Sequence, residues 1–152
     1  MKALSAPFGS IRFVPTGGVN EKNCGEYSAA PFVHAIGGSW VCTKADIAAH
    51  NFEKITQLCK AARAAILGFE VGHVGVNSSN FSTDAIEVMK GCGRGVNGHI
   101  AIRTNKVSMA VAELEKRGYH IIPESVKYKG DRMTLAYLEG DFGGFAVHLV
   151  QK

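Results

Sequence analysis

Short apolar runs alternate with helical patterns in the first 67 residues of the chain. Residues 11–14 form one apolar run, which stops at the turn cluster Pro15-Thr16-Gly17-Gly18. Residues 32–36 form another, which stops at Gly37-Gly38-Ser39-Trp40. Each run precedes a helix start, with Asn20 as the cap of the first helix and Thr43, with Asp46 three residues later, as the cap of the second. Two strand-loop-helix units in succession predict a parallel α/β sheet or barrel.

A third helix is predicted from residue 52 to residue 67, with Asn51 as its cap and Gly68 at its end. Its apolar residues recur at the spacing of one helix face: Phe52, Ile55, Leu58, Ala62 and Ala65.

The pattern changes after Gly68. One helix is predicted, from residue 106 to residue 117, with Asn105 as its cap and its apolar positions on one face. Six segments have the short apolar character of strands: residues 71–77, 85–90, 99–103, 119–123, 134–139 and 145–151. Because three strands follow the helix in succession, the order predicts an α+β domain with a mostly antiparallel or mixed sheet. We therefore expect two domains, residues 1–67 and residues 69–152.

Two strands of the second half begin with the same pattern. Gly72-His73-Val74-Gly75-Val76 and Gly98-His99-Ile100-Ala101-Ile102 both read glycine, histidine, apolar, small, apolar. Such an echo indicates a duplicated unit. A helix follows only the second copy, and residues 77–97 are too few for a whole module. The first copy is therefore predicted to be incomplete, shortened near residues 77–80.

The composition is that of a soluble globular protein, with 46% hydrophobic residues, 20% charged residues and a net charge of +4. An apolar run of the ~18 residues that a membrane span needs is missing, and so is a signal-peptide core, so we expect a cytoplasmic protein. The four cysteines are widely spaced without a CxxC pair, which favours free thiols. The mild positive charge suits anionic metabolites. The sequence has no dense Lys/Arg cluster of the kind that would indicate nucleic-acid binding.

Each Gly-Gly pair follows the carboxyl end of a predicted parallel strand. Glycine lets the backbone approach a ligand, and successive amide groups attract anions. The loops after the last two strands of a β/α barrel are the usual phosphate site. One such pair alone is better explained as a tight turn, but the two pairs together, with Thr16 and Ser39 beside them, favour phosphate binding.

These loops carry a resemblance to a known family. Arg12-Phe13-Val14-Pro15-Thr16-Gly17-Gly18-Val19, followed by Gly37-Gly38-Ser39-Trp40, resembles the last two strand-loop units of the KDPG/4-hydroxy-2-oxoglutarate aldolases, and Lys2-Ala3-Leu4 with Pro7-Phe8 resembles the helix upstream. The resemblance, over residues 2–67, implies the end of a TIM-type barrel and a class I aldolase, an aldehyde-lyase without a cofactor. It implies that the substrate phosphate is bound by Thr16, Gly17, Gly18, Gly37, Gly38 and Ser39. It also implies a Schiff-base lysine and a glutamate upstream of Lys2, so we expect this chain to lack both.

The second half resembles a vicinal oxygen chelate (glyoxalase-like) domain of βαβββ type. The resemblance is carried by residues 72–76, 85–89, 98–102 and 145–149. Four strands of that fold each supply one metal ligand, and the implied ligands are His73, Glu87, His99 and His148. Such a set suits Zn²⁺, Ni²⁺, Mn²⁺ or Fe²⁺, which would act as a Lewis acid on adjacent substrate oxygens. Each histidine taken alone is explained as well by a hydrogen-bonded strand position. At the fourth ligand position, where this chain has His148, many members have a carboxylate.

Three functions remain open at this point. The chain is an aldolase-family protein that binds a phosphorylated keto acid, a metal-dependent glyoxalase-like enzyme acting on a small oxygenated metabolite, or a binding remnant without catalysis. Arg94 and Arg103 are candidates to contact an anionic substrate, although a solvated surface explains them equally well. Because both halves lack strands of their folds, we expect open sheet edges and a homo-oligomer, with neither nucleic acid nor membrane as a partner.

Overall fold

The computed structural model of the chain describes residues 1–77, 86–89, 91 and 93–152. It has mixed α/β content and forms two compact units, Met1–Gly68 and Phe69–Lys152. Cys92, residues 78–80 of the predicted shortening near 77–80, and both ends of the predicted strand 85–90 lie outside the described residues. Within the described residues, no helix is both long enough and apolar enough to cross a membrane.

The first unit contains four helices: α1 (Lys2–Ser5), α2 (Cys24–Ala29), α3 (Lys44–Ala48) and α4 (Phe52–Leu67). Three predicted boundaries are confirmed, and the first is Asn51, which takes the N-cap position of α4. The Thr43 hydroxyl caps α3 by accepting from the Asp46 amide at 3.1 Å. Gly68 ends α4 in the left-handed conformation (φ 56°), and its N–H donates to the Ala64 carbonyl.

Two predictions for the first unit were wrong. Asn20 does not cap α2, because its side chain accepts from the Lys22 amide at 2.9 Å and forms a turn before the helix. Asn23 takes the N-cap position instead. The predicted strands 11–14 and 32–36 are reduced to one parallel bridge between Phe13 and Val33, since neither run has a further strand beside it among the described residues.

Buried side chains of α2 and α4 form the interior of the first unit. Cys24 is fully buried, and the Ser28 hydroxyl donates to the Ile66 carbonyl at 3.0 Å. At the start of α4, Lys54 Nζ lies 2.8 Å from Asp46 Oδ1. Lys54 and then the Thr43 hydroxyl lower the pKa of Asp46 to about 2. Asp46 therefore links the starts of two helices.

The second unit is built on a six-stranded mixed sheet. Its strands are β1 (Glu70–Val76), β2 (Ile86–Val88), β3 (Gly98–Thr104), β4 (Lys127–Lys129), β5 (Arg132–Tyr137) and β6 (Phe145–Gln151), in the order β2-β1-β3-β6-β5-β4. The pairs β1–β2 and β3–β6 are parallel, and the other pairs are antiparallel. Helix α5 (Val107–Glu115) packs on β5 and β6. The buried apolar residues of these elements include Val107, Ala110, Ala136 and Leu149.

Two further predictions were wrong in the second unit. The predicted strand 119–123 is reduced to one antiparallel bridge between Ile121 and Leu138, because Pro123 has no amide for a strand ladder and starts a 3-10 turn, Pro123–Ser125. The strand in that region is β4, which forms a hairpin with β5 around Gly130 in a left-handed conformation (φ 63°). Asn105 does not cap α5, since Lys106 takes the N-cap position and the Asn105 carbonyl accepts from Gln151 Nε2 at 2.7 Å.

Candidate metal centre and glycine loops

The central strands of the second unit bring two predicted ligands together. On the antiparallel pair β1–β3, His73 lies opposite Ala101 and Gly75 lies opposite His99. Directly opposite residues point to the same face of a sheet, so both imidazoles project from one face. The two copies of the glycine-histidine motif therefore face each other across the centre of the sheet.

The outer strands supply the other two predicted ligands. Strand β2 places Glu87 beside Gly75, and β6 places His148 beside Ala101. Since Gly75 and Ala101 occupy the same position in the repeated motif, Glu87 and His148 are equivalent as well. The strand registers thus define a local two-fold axis through the β1–β3 pairing, and this axis relates the four ligands in two pairs.

The side chains converge at short distances. His73 Nε2 lies 2.9 Å from His99 Nε2, and Glu87 Oε2 lies 3.3 Å from the first of these nitrogens and 4.0 Å from the second. One nitrogen from each of His73, His99 and His148 can be chosen so that all three lie within 4.8 Å of one another. Two nitrogens bound to one ion at about 2.1 Å are roughly 3 to 3.5 Å apart. The set therefore fits a divalent ion after a small contraction.

One ligand atom has no other use among the described residues. Nδ1 of His148 is buried and makes no hydrogen bond within that part of the chain. A buried imidazole that only stabilised the fold would be expected to have a partner for this atom. Coordination of a metal by Nδ1 would give this atom a partner, and that role fits His148 better than core packing does.

Burial keeps two imidazoles in the form that binds metal. The pKa of His99 is lowered mainly by burial and further by His73, against an opposite effect of Glu87. Burial, followed by His99, His73 and Lys127, lowers the pKa of His148 to about 4. Both rings are therefore neutral at pH 7, as coordination requires.

Gly75 makes room for the deeper histidine. A methyl group on Gly75 would lie 2.6 Å from Nδ1 and 2.8 Å from Nε2 of His99, and closer still to Cε1. The side chain of His99 is only 6% exposed, whereas that of His73, which faces Ala101, is 28% exposed. The repeated motif has a small residue two positions after each histidine, Gly75 after His73 and Ala101 after His99. This pattern was a sequence signal for the space that the facing imidazole needs.

Sequence reasoning missed Tyr137 altogether. Its ring centroid lies 4.6 Å from that of His148, the residue opposite it on β6. Burial raises the pKa of the Tyr137 phenol, while Arg94 lowers it and Glu87 raises it. The Arg94 guanidinium in turn lies 5.6 Å from the Tyr137 ring centroid. Strand alternation could not reveal this contact, because the register between β5 and β6 is not encoded in either strand alone.

The glycine loops of the first unit meet at one end of the Phe13–Val33 bridge. The Gly37 amide donates to the Pro15 carbonyl at 2.9 Å. A Cβ on Gly37 would lie 3.0 Å from Thr16 Cγ2, and one on Gly38 would overlap the Trp40 ring. Of the six predicted phosphate ligands, the structure therefore places Thr16 beside Gly37.

The lysines of the first unit are all exposed: Lys2, Lys22, Lys44, Lys54 and Lys60. A Schiff-base lysine needs an environment that favours the neutral amine, such as a desolvated pocket. The described part of this unit offers such a pocket to none of the five.

Comparisons with known proteins concern the first unit. The family model of KDPG and KHG aldolase matches residues 1–58. The chain is 48% identical over 58 residues to the 2-dehydro-3-deoxy-phosphogluconate aldolase of Treponema pallidum, a match that covers 38% of this chain and 28% of that protein. It is 40% identical over 62 residues to the enzyme of that name from Pseudomonas aeruginosa, covering 41% of this chain and 28% of the relative.

The KHG/KDPG aldolase of Escherichia coli K12 is 37% identical over 62 residues, which cover 41% of this chain and 29% of that protein. The chain thus spans about three tenths of the length of these curated relatives. No solved structure gives a significant match. The matches lend no support to the vicinal oxygen chelate resemblance of residues 69–152, which stays a prediction. What the comparisons establish is a resemblance to KDPG and KHG aldolases over residues 1–58.

Proposed function

We propose that residues 69–152 form a metal-dependent domain of the vicinal oxygen chelate type, which acts on a small metabolite with two adjacent oxygen atoms. The observation that carries the proposal is the convergence of three imidazoles and one carboxylate around a local two-fold axis. Convergence from four different strands is the arrangement that rigid metal sites use.

The ligand set defines the chemistry of this proposal. His73, Glu87, His99 and His148 would hold Zn²⁺, Ni²⁺, Mn²⁺ or Fe²⁺, and the bound ion would supply Lewis acidity to the substrate oxygens. Glu87, whose side chain is 59% exposed, lies on the side open to solvent, whereas His99 lies on the buried side. With histidine at position 148, that ligand brings no carboxylate that could serve as a general base.

Metal analysis of the purified protein tests the proposal. We expect about one divalent ion per chain, and the variant His99→Ala should bind it at least about tenfold more weakly. His120→Ala is the matched control, because His120 is an exposed histidine of the same unit outside the cluster. Equal metal affinity in both variants and the unchanged protein would contradict the proposed site.

A second function is supported by a separate observation, the contact between the two glycine loops. We propose that Thr16, Gly17, Gly18, Gly37, Gly38 and Ser39 bind the phosphate of a small keto acid, as the resemblance to the aldolases implies. The adjacency of Thr16 and Gly37 and the family match over residues 1–58 support this assignment. Because the lysines of this unit are exposed, the proposal assigns to it anion binding and not cleavage of the carbon–carbon bond.

Trp40 provides a direct readout of phosphate binding. It is the only tryptophan of the chain and lies against Gly38. We expect its fluorescence to change when inorganic phosphate is added, and Gly37→Val, which would push against Thr16, should weaken this response. A response that is identical in this variant would place the anion elsewhere. Borohydride reduction in the presence of pyruvate should leave no covalent adduct on the chain. An adduct would show that a lysine of the chain forms a Schiff base, and would favour aldolase catalysis over anion binding alone. If neither metal nor phosphate binds, a remnant without either function is the remaining alternative.

A further inference from the structure

A cavity of about 340 Å³ lies at one end of the β3–β6 pair in the second unit. Its volume is at the lower end of the range for small-molecule sites. The described lining is apolar and glycine-rich, with Arg94 as its one cation and Asp141 as its one acid. Asp141 is engaged within its own loop, since its Oδ1 accepts from the Gly144 amide at 2.5 Å.

Two contacts connect this cavity with the candidate metal centre. Ala146, which lines the cavity, lies beside His99 in the register of β3 and β6. Arg94, which also lines the cavity, lies over the Tyr137 ring, and that ring lies against His148. The cavity therefore borders the candidate metal centre, and a molecule bound to an ion at the histidines could reach into it.

The N–H groups of the Arg94 guanidinium make only a weak ion pair, with Glu124. Its Nη2 lies 3.8 Å from Glu124 Oε1, which is beyond hydrogen-bonding distance, and the two side chains are 45% and 71% exposed. An exposed pair of this kind contributes little to stability. The ring of Tyr137 lies against one face of the guanidinium, so the N–H groups are oriented while they remain able to donate to a carboxylate or a phosphate.

We infer that this cavity binds the anionic group of the substrate through Arg94, while the two adjacent oxygens of the same molecule bind the ion. The substrate class is a small diol or hydroxy-keto compound that carries a carboxylate or a phosphate. This inference deepens the proposed metal-dependent function and rests on it. Arg94 binds and orients the substrate and takes no part in the metal site itself.

Three probes with the same diol and different charge test the inference on Ni²⁺-loaded protein: glycerol, glycerate and glycerol 3-phosphate. Isothermal titration should show that at least one anion binds more tightly than glycerol, and the tighter anion identifies the group that the cavity prefers. Arg94→Gln should weaken that anion by about 10- to 100-fold, with Ni²⁺ affinity and glycerol binding unchanged. Arg103→Gln is the control, because it removes the same charge from an exposed position of β3 outside the cavity lining.

The outcomes separate the two proposals. If Ni²⁺ binds but neither anion exceeds glycerol, or if Arg94→Gln binds the anion as tightly as the unchanged protein, the inference is overturned and the metal site stands. If the protein does not bind Ni²⁺ or another divalent ion, the metal-dependent function and the inference fall together.

Discussion

The space left by Gly75 gives a sharp test of the site. In Gly75→Ala, the added methyl would approach Nδ1 and Nε2 of His99 to 2.6 and 2.8 Å. Non-bonded carbon and nitrogen atoms are in van der Waals contact at about 3.5 Å, so the His99 ring must move by roughly 1 Å. Precise sites tolerate displacements of only about 0.5 Å. We therefore expect metal affinity to fall by about 10- to 100-fold, the range found when the support of a ligand is lost.

Competition titration with a chromogenic chelator measures this change. Gly91→Ala is the control, because a methyl group there would meet no atom of the described residues within 4 Å. Thermal denaturation of both metal-free variants shows whether the fold is kept. A folded Gly75→Ala protein that binds Ni²⁺ with undiminished affinity would refute the argument that Gly75 positions His99.

The remaining predictions concern pH and assembly. The pKa of His148 is about 4 in the folded protein and 6.5 for the unperturbed side chain. Between pH 6.5 and pH 4 the imidazole is therefore protonated in the unfolded chain and neutral in the folded one. The metal-free protein should therefore lose stability as the pH falls from 6.5 to 4, and His148→Asn should flatten this dependence in thermal denaturation. The pKa of Asp46 is lowered from 3.8 to about 2, so its contribution is present above pH 3.8 and is lost as the pH falls through 2. Asp46→Asn should accordingly reduce the stability of the first unit at pH 7 and have a smaller effect near pH 2, measured by circular dichroism. Finally, β2 and β4 lie at the two edges of the sheet, and we expect a homo-oligomer by light scattering; a monomeric mass at working concentration would contradict edge pairing.

The predictable part of the fold is the part that local sequence encodes. The apolar spacing and Gly68 defined α4, and a short apolar run defined β6, from Phe145 to Gln151. The strand near Lys127 was missed, because lysines and an exposed tyrosine on an edge strand carry no apolar signal. The runs around Phe13 and Val33 read as strands, yet a strand needs neighbours, and local sequence does not supply them.

The candidate site also has a part that the sequence predicted and a part that depends on strand pairing. His73, Glu87, His99 and His148 were chosen as an implication of family resemblance, and the strand registers bring them together. The contact of Tyr137 with His148 depends on pairing between strands that are separated by a turn and a loop, so no pattern within one strand predicts it. Tertiary pairing, and not residue type, decides which side chains complete a cluster.

The edge position of β2 has a consequence for folding. Among the described strands, β2 pairs with β1 alone, and it carries Glu87, whereas His148 lies on β6 beyond the centre of the sheet. An ion shared by these residues would be a cross-link between chain segments far apart in sequence, and such links reduce the conformational entropy of the unfolded chain most when the closed loop is long. Metal loading would then tie the edge strand β2 to the centre of the sheet. Amide hydrogen exchange in β2 should slow markedly once the ion is bound.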